Sequence, residues 1–124
     1  MENRSLLLIE DDIELSEILQ RRFERRGHRV VTCEMPEQAL QSATTQDFDV
    51  VIVDGLLRGR DGVDLVQALK HKRPSLPCIM LSGNSSELAI ARALNAGVSR
   101  YLLKPCSLVD LESAINQVAE ASLT

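Results

Sequence analysis

Five short apolar runs alternate with longer segments whose apolar residues recur at helical spacing, and this rhythm constrains the fold more than any other feature of the chain. The runs at 6–9, 29–32, 50–53, 78–81 and 101–103 are mostly continuous rather than alternating, as expected of strands covered on both faces. One-sided stripes between and after them mark helices: Leu15, Ile18, Leu19 and Phe23; Ala39, Leu40 and Ala43; Leu65, Val66 and Leu69; Ile90, Ala93 and Leu94; Leu108, Leu111, Ile115 and Val118. Pro36 suits the first turn of the second helix and Ser107 the N-cap of the fifth, while Gly27 and Gly97 suit C-terminal stops. No repeat, linker or low-complexity stretch interrupts the series. A chain of 124 residues is long enough for one core and too short for two, so one domain is expected over 1–124.

Right-handed crossovers between five such units predict an α/β fold, a single doubly wound five-stranded parallel sheet of flavodoxin-like (βα)5 type with strand order 2-1-3-4-5. In a sheet of this kind ligands bind beyond the carboxyl ends of the strands, at the switch point between the first and third. The residues that stand there are Glu10, Asp11 and Asp12 after the first run, Asp54 after the third, Ser82 after the fourth and Lys104 after the fifth. Carboxylates from adjacent central strands repel unless a cation enters, and an all-oxygen, partly hydrated site suits Mg²⁺ better than a softer metal. A carboxylate beside a divalent cation, an ammonium and a hydroxyl is arranged to attack phosphorus. Asp54 would supply the nucleophile, Lys104 and the cation would offset charge on the phosphoryl oxygens, and the product would be an aspartyl phosphate. Ser82 can donate a hydrogen bond to a phosphoryl oxygen and so report that the group is present.

Four stretches resemble the receiver domains of bacterial response regulators, the CheY-like domains of two-component systems. They are Leu-Leu-Leu-Ile-Glu-Asp-Asp at 6–12, Val-Ile-Val-Asp-Gly-Leu-Leu-Arg-Gly-Arg-Asp-Gly at 51–62, Met-Leu-Ser-Gly at 80–83 and Tyr-Leu-Leu-Lys-Pro at 101–105. Each alone is weak, but four in order at family spacing are specific, and together they cover nearly the whole chain. The resemblance implies that Asp54 is the phosphoacceptor, that Asp11 ligates the metal directly, and that Glu10 completes the acidic pair through water. It also implies that Leu56 offers the metal its carbonyl, that Ser82 is the switch hydroxyl and Lys104 the phosphoryl-binding cation, that Tyr101 changes rotamer with the switch, and that Lys104-Pro105 is a cis peptide, which costs least before proline.

Some positions depart from the family pattern. Leu57 and Arg58 replace the usual Met-Pro, which removes a fixed φ and adds a charge; with Gly55 and Gly59 alongside, a looser loop is expected. Cys106 stands where many receivers have an aromatic, and Gly83 where an alanine is common. Asp12 is read as the N-cap of the first helix and Asp61-Gly62 as turn chemistry before the third. Arg21, Arg22, Arg25 and Arg26 read as a solvated helix face, and His28 and His71 as surface residues without chemistry. Cys33, Cys78 and Cys106 show no metal-site spacing and read as reduced thiols.

A formal net charge of −4 provides no field for gripping nucleic acid, and no apolar run reaches bilayer length, so a cytoplasmic protein that binds neither DNA nor membrane is expected. The function expected is that of a regulatory domain rather than an enzyme. The resemblance implies that a histidine kinase or histidine phosphotransfer protein would donate the phosphoryl group, and that a face built by the fourth helix, fifth strand and fifth helix, with Arg92, Asn95 and Arg100 as candidates to border it, would signal to a downstream output domain or protein. A phosphorylation-dependent homodimer is compatible with the sequence but not specified by it. Two rivals differ in class. An Asp-nucleophile phosphatase would place a second acid two residues after the nucleophile, where this chain has Leu56. A receiver-like domain acting by phosphorylation-independent contact has only the Arg58 loop in its favour.

Overall fold

Each strand forms because its apolar side chains can be shared between two layers. Leu7, Ile9, Val51, Val53, Cys78 and Met80 point to one side of the sheet, and Leu6, Leu8, Val50, Ile52, Ile79 and Leu81 to the other, the two-residue period of an extended chain. The computed structural model describes residues 3–57 and 59–122. In chain order the elements are β1 (Ser5–Ile9), α1 (Ile13–Arg25), β2 (Arg29–Cys33), α2 (Pro36–Thr45), β3 (Val50–Asp54), β4 (Leu56–Leu57), β5 (Arg60–Asp61), α3 (Gly62–Lys72), β6 (Cys78–Ser82), α4 (Glu87–Ala96), β7 (Val98–Leu103) and α5 (Leu108–Ser122). The main sheet is parallel with order β2-β1-β3-β6-β7, which is the expected topology once the small β4-β5 ladder is set aside. One core holds α2, α3 and α4 against the first face, and the other holds Phe23 of α1 and Leu111, Ile115 and Val118 of α5 against the second.

The helix ends use the expected chemistry. Asp12 caps α1 through the Leu15 N–H at 3.2 Å, Pro36 opens α2, Ser107 Oγ accepts the Asp110 N–H at 3.0 Å, and Gly97 ends α4 in the left-handed region at φ 111°. Among the described residues, no helix is long and apolar enough to cross a membrane.

Four expectations need correction. The last strand starts at Val98, three residues earlier than the apolar run suggested, because Ser99 and Arg100 are exposed positions on an edge strand. The stretch expected to be a loose loop holds a two-stranded antiparallel ladder, Leu56 opposite Asp61 and Leu57 opposite Arg60, with Gly59 at φ 77°; Arg58 lies outside the described residues. His28 is not a surface residue. It is 4% exposed, its Nδ1 accepts the Arg4 backbone N–H at 3.0 Å, and its Nε2 faces Glu112 Oε2 at 3.1 Å. Arg26 likewise leaves the solvated face and donates to the other Glu112 oxygen at 2.9 Å, whereas Arg21, Arg22 and Arg25 are exposed. His71 is exposed as expected, and the three cysteines are free.

Candidate functional site

Register assembles the site. Ile9 pairs with Val53, so Glu10 and Asp54 follow side by side at the ends of the two central strands. Asp54 pairs with Leu81 and Ser82 with Leu103, which carries the hydroxyl and Lys104 to the same pole. Backbone bonds fix these ends: Gly55 N–H to the Leu81 carbonyl at 2.8 Å, Lys104 N–H to the Ser82 carbonyl at 2.9 Å, and Glu10 N–H to the Cys33 carbonyl at 3.0 Å.

At that pole Lys104 Nζ donates to Asp54 Oδ1 at 3.1 Å and to Glu10 Oε1 at 3.3 Å, joining residues 50 and 94 positions apart in sequence. The Leu56 backbone N–H donates to the same Asp54 oxygen at 3.3 Å. Glu10, Asp11 and Asp54 each offer a carboxylate oxygen, all within 4.8 Å of one another. Glu10 is 2% exposed and Asp54 9%. Burial, followed by the hydrogen bond to Asp54 and its charge, pushes the Glu10 carboxyl up to about 7 against the opposing pull of Lys104. Burial alone would lower the Lys104 ammonium, but the hydrogen bond and charge of Asp54, with Glu10, outweigh it and hold the ammonium above the usual lysine range. Three carboxylates facing one ammonium leave the pocket short of positive charge. Oxygen donors of this kind suit a hard divalent cation such as Mg²⁺.

Around the acids stand the remaining expected residues. Ser82 Oγ accepts the Asn84 N–H at 3.1 Å, and the Tyr101 hydroxyl donates to the Asn84 carbonyl at 2.7 Å. Lys104-Pro105 is cis. Leu56 lies beside the pocket with its side chain 62% exposed.

Two neighbours of the pocket hold more than the sequence reading gave them: Asn84 was not singled out, and Gly62 was read only as turn chemistry. Asn84 donates its backbone N–H to Ser82 Oγ and accepts the Tyr101 hydroxyl at its carbonyl, and its Oδ1 also accepts the Ser86 N–H at 3.0 Å; the clue available was an Asn two residues after a loop hydroxyl, a common local turn. Gly62 is the other. Its N–H bonds the Gly55 carbonyl at 2.9 Å, and a Cβ added there would run into the Asp54 carbonyl oxygen and sit 3.2 Å from Gly55 Cα. Gly62→Ala is therefore expected to cost about 1–3 kcal/mol of stability, the usual range for overpacking. A urea midpoint equal to that of the wild type would contradict this.

The family model for the response regulator receiver domain matches residues 6–116. The chain is 36% identical over 108 residues to the transcriptional activator protein PfeR of Pseudomonas aeruginosa, an alignment covering 87% of the chain and 35% of that protein. It spans no more than about half the length of the first curated relatives it matches. Among solved structures, a CheY-like response regulator receiver domain protein from Methanospirillum hungatei superposes with a TM-score of 0.91 over 98% of both chains, at 23% identity, a likeness of fold. A response regulator from Burkholderia pseudomallei, solved with a phosphorylated aspartic acid, a calcium ion and citrate, superposes with a TM-score of 0.86 at 27% identity over 97% of this chain and 71% of its own.

Proposed function

The chain belongs to the response regulator receiver domain family of two-component signalling, and on that premise we propose that Asp54 accepts a phosphoryl group from a histidine kinase or histidine phosphotransfer protein. The observation that carries this reading is the Lys104 ammonium 3.1 Å from the Asp54 carboxylate at the switch point of the sheet. A carboxylate oxygen of Asp54 attacks the donor's phosphorus. An O–P bond forms, the bond to the leaving group breaks with its electron pair, and Lys104 offsets charge on the equatorial oxygens. Ser82 then donates to a phosphoryl oxygen, and Tyr101, already bonded within the same loop, follows it. The whole of 1–124 acts as this one regulatory domain, in the cytoplasm where its donor works, and passes the change to an output domain or protein.

Asp11, Asp54 and the Leu56 carbonyl would hold Mg²⁺, with Glu10 behind them through water; when bound, the cation supplies positive charge opposite the phosphoryl oxygens. That a Burkholderia pseudomallei response regulator of the same fold was solved with a phosphorylated aspartic acid and a calcium ion supports an acceptor aspartate and a hard cation in a domain of this kind. The side chain of Leu56 cannot protonate a leaving group, which argues against turnover of external phosphate esters.

The test is incubation of the chain with acetyl phosphate and Mg²⁺. An acid-stable, base-labile adduct of one phosphoryl group is expected, located at Asp54 by peptide mapping and absent with EDTA. A chain that stays folded yet gains no adduct, and binds no beryllofluoride, refutes the proposal in favour of phosphorylation-independent contact. A related expectation concerns lifetime. The exposed Leu56 side chain crowds the approach of water to an aspartyl phosphate, so Leu56→Asn or Leu56→Glu should shorten the decay of the adduct severalfold; an unchanged half-life removes Leu56 from that role.

A further inference from the structure

Asp61 serves two elements at once. Its Oδ1 caps α3 through the Val63 N–H at 2.9 Å, and its Oδ2 accepts from Arg92 Nη2 of α4, also at 2.9 Å. The β4-β5 ladder is thereby fastened to α4, much as its Arg60 is fastened to Glu37 of α2 at 3.0 Å. Asp61 and Arg92 both line a cleft of about 480 Å³ that also takes in Gly55, Leu56, Ser82 and Asn84, so the ion pair borders the same cleft as the switch hydroxyl and its loop.

α4 is lightly buried, with Ala96 only partly covered where it packs against the core. Ala93 is its one buried residue, whereas α3 and α5 bury five each. Leu88 is 72% exposed and Leu94 49%. An element with so little buried surface is the one most easily displaced, and on it a single ion pair carries more weight than it would on α3 or α5. The loop that leads into α4 holds Ser82 through Asn84, Asn84 to the Ser86 N–H, and Ser86 Oγ to the Ala89 N–H at 3.1 Å, an unbroken chain from switch hydroxyl to helix.

We propose that Arg92 is a positioning residue for the phosphoryl switch: through Asp61 it holds α4, and the β6–α4 loop attached to it, in the unphosphorylated arrangement. A phosphoryl group that draws the Ser82 hydroxyl toward Asp54 pulls on that loop and, through the Ser86 cap, on α4, and the Arg92–Asp61 pair opposes the displacement. Breaking the pair then lowers the cost of reaching the switched state and tightens binding of anything that stabilises it. The inference rests on Asp54 being the acceptor.

The test is a beryllofluoride titration of the full chain with Mg²⁺ in excess, followed by amide NMR, for the wild type, Arg92→Gln, Asp61→Asn, the double variant and Arg92→Lys. Asn at 61 retains a capping oxygen, so α3 keeps its start. Each neutralising variant should bind about two- to five-fold more tightly, the range of an exposed ion pair, and the double variant no more tightly than either single. Arg92→Lys, which replaces a single-point contact with another cation, should return to wild-type affinity. In free Arg92→Gln, the amides of Ser82, Gly83 and Asn84 should lie on the line from free to bound wild type. Unchanged or weaker binding by the single variants, or additive effects in the double, overturns the role of Arg92 while wild-type binding keeps the acceptor reading intact. A folded wild type that binds no beryllofluoride overturns both.

Discussion

Asp54→Asn is expected to gain no phosphoryl adduct from acetyl phosphate and Mg²⁺ under conditions in which the wild-type chain gains one. Asparagine is nearly isosteric, and position 54 keeps its pairing with Leu81 on β6 and its carbonyl contact with Gly62 through the backbone, so the fold should persist. What disappears is the negative charge that attacks phosphorus. A second readout separates loss of chemistry from loss of structure. Glu10 is pushed up to about 7 first by burial, then by the hydrogen bond to Asp54 and the Asp54 charge. The folded protein therefore holds this proton more tightly than the unfolded chain does. That contribution to stability is complete below the ordinary value of 4.5 and is lost as pH rises through about 7. Removing the Asp54 charge should move the Glu10 titration down and shrink the loss over that window. Intact-mass spectra and a carbon-detected NMR titration of the Glu10 carboxyl check the two halves. A persistent adduct in the variant places the acceptor elsewhere, and an unmoved titration means that burial alone sets Glu10.

Lys104→Met should slow adduct formation by about 10²–10³-fold, the usual consequence of removing one preorganised charge-stabilising donor. Methionine keeps an unbranched stem of similar length, so the wall of the neighbouring apolar cleft shared with Leu15, Leu19 and Leu111 should persist while the ammonium that contacts Asp54 and Glu10 is gone. The initial rate of phosphorylation by acetyl phosphate at saturating Mg²⁺ measures this. A decrease of less than about tenfold would show that Lys104 serves the metal-free pocket by neutralising it and contributes little to the transition state.

The strands and the clustering of acids with Lys104 were legible in the sequence because both follow from local signals. A continuous apolar run makes a strand buried on both faces, and the charged residue immediately after it must fall at the sheet pole. Glu10, Asp54 and Lys104 could be placed together on that basis alone, and the structure brings them within hydrogen-bonding range of one another's side chains. The β4-β5 ladder left no such signal, since two-residue strands are too short to show a period. Nor could His28 be read correctly: its burial is made by Arg4 and Glu112, which lie 24 and 84 positions away, and nothing in its flanking Gly27 and Arg29 announces either partner. Asp61 was read with Gly62 as turn chemistry before the third helix; it proves to be the N-cap of α3, and its second oxygen belongs to Arg92, a tertiary contact 31 residues distant.

The His28 network gives the two layers unequal freedom. Glu112 ties α5 to Arg26 at the end of α1 and to His28 at the foot of β2, and His28 in turn grips the backbone just ahead of β1. One side of the sheet is thus riveted to its own base, while on the other side α4 is held more lightly, by one fully buried alanine, the partly buried Ala96 and an exposed ion pair. A docked protein whose footprint straddled α4 and α5 would feel a loosened α4 as a change in the spacing of its two footholds, with α5 as the fixed bank against which the shift is measured.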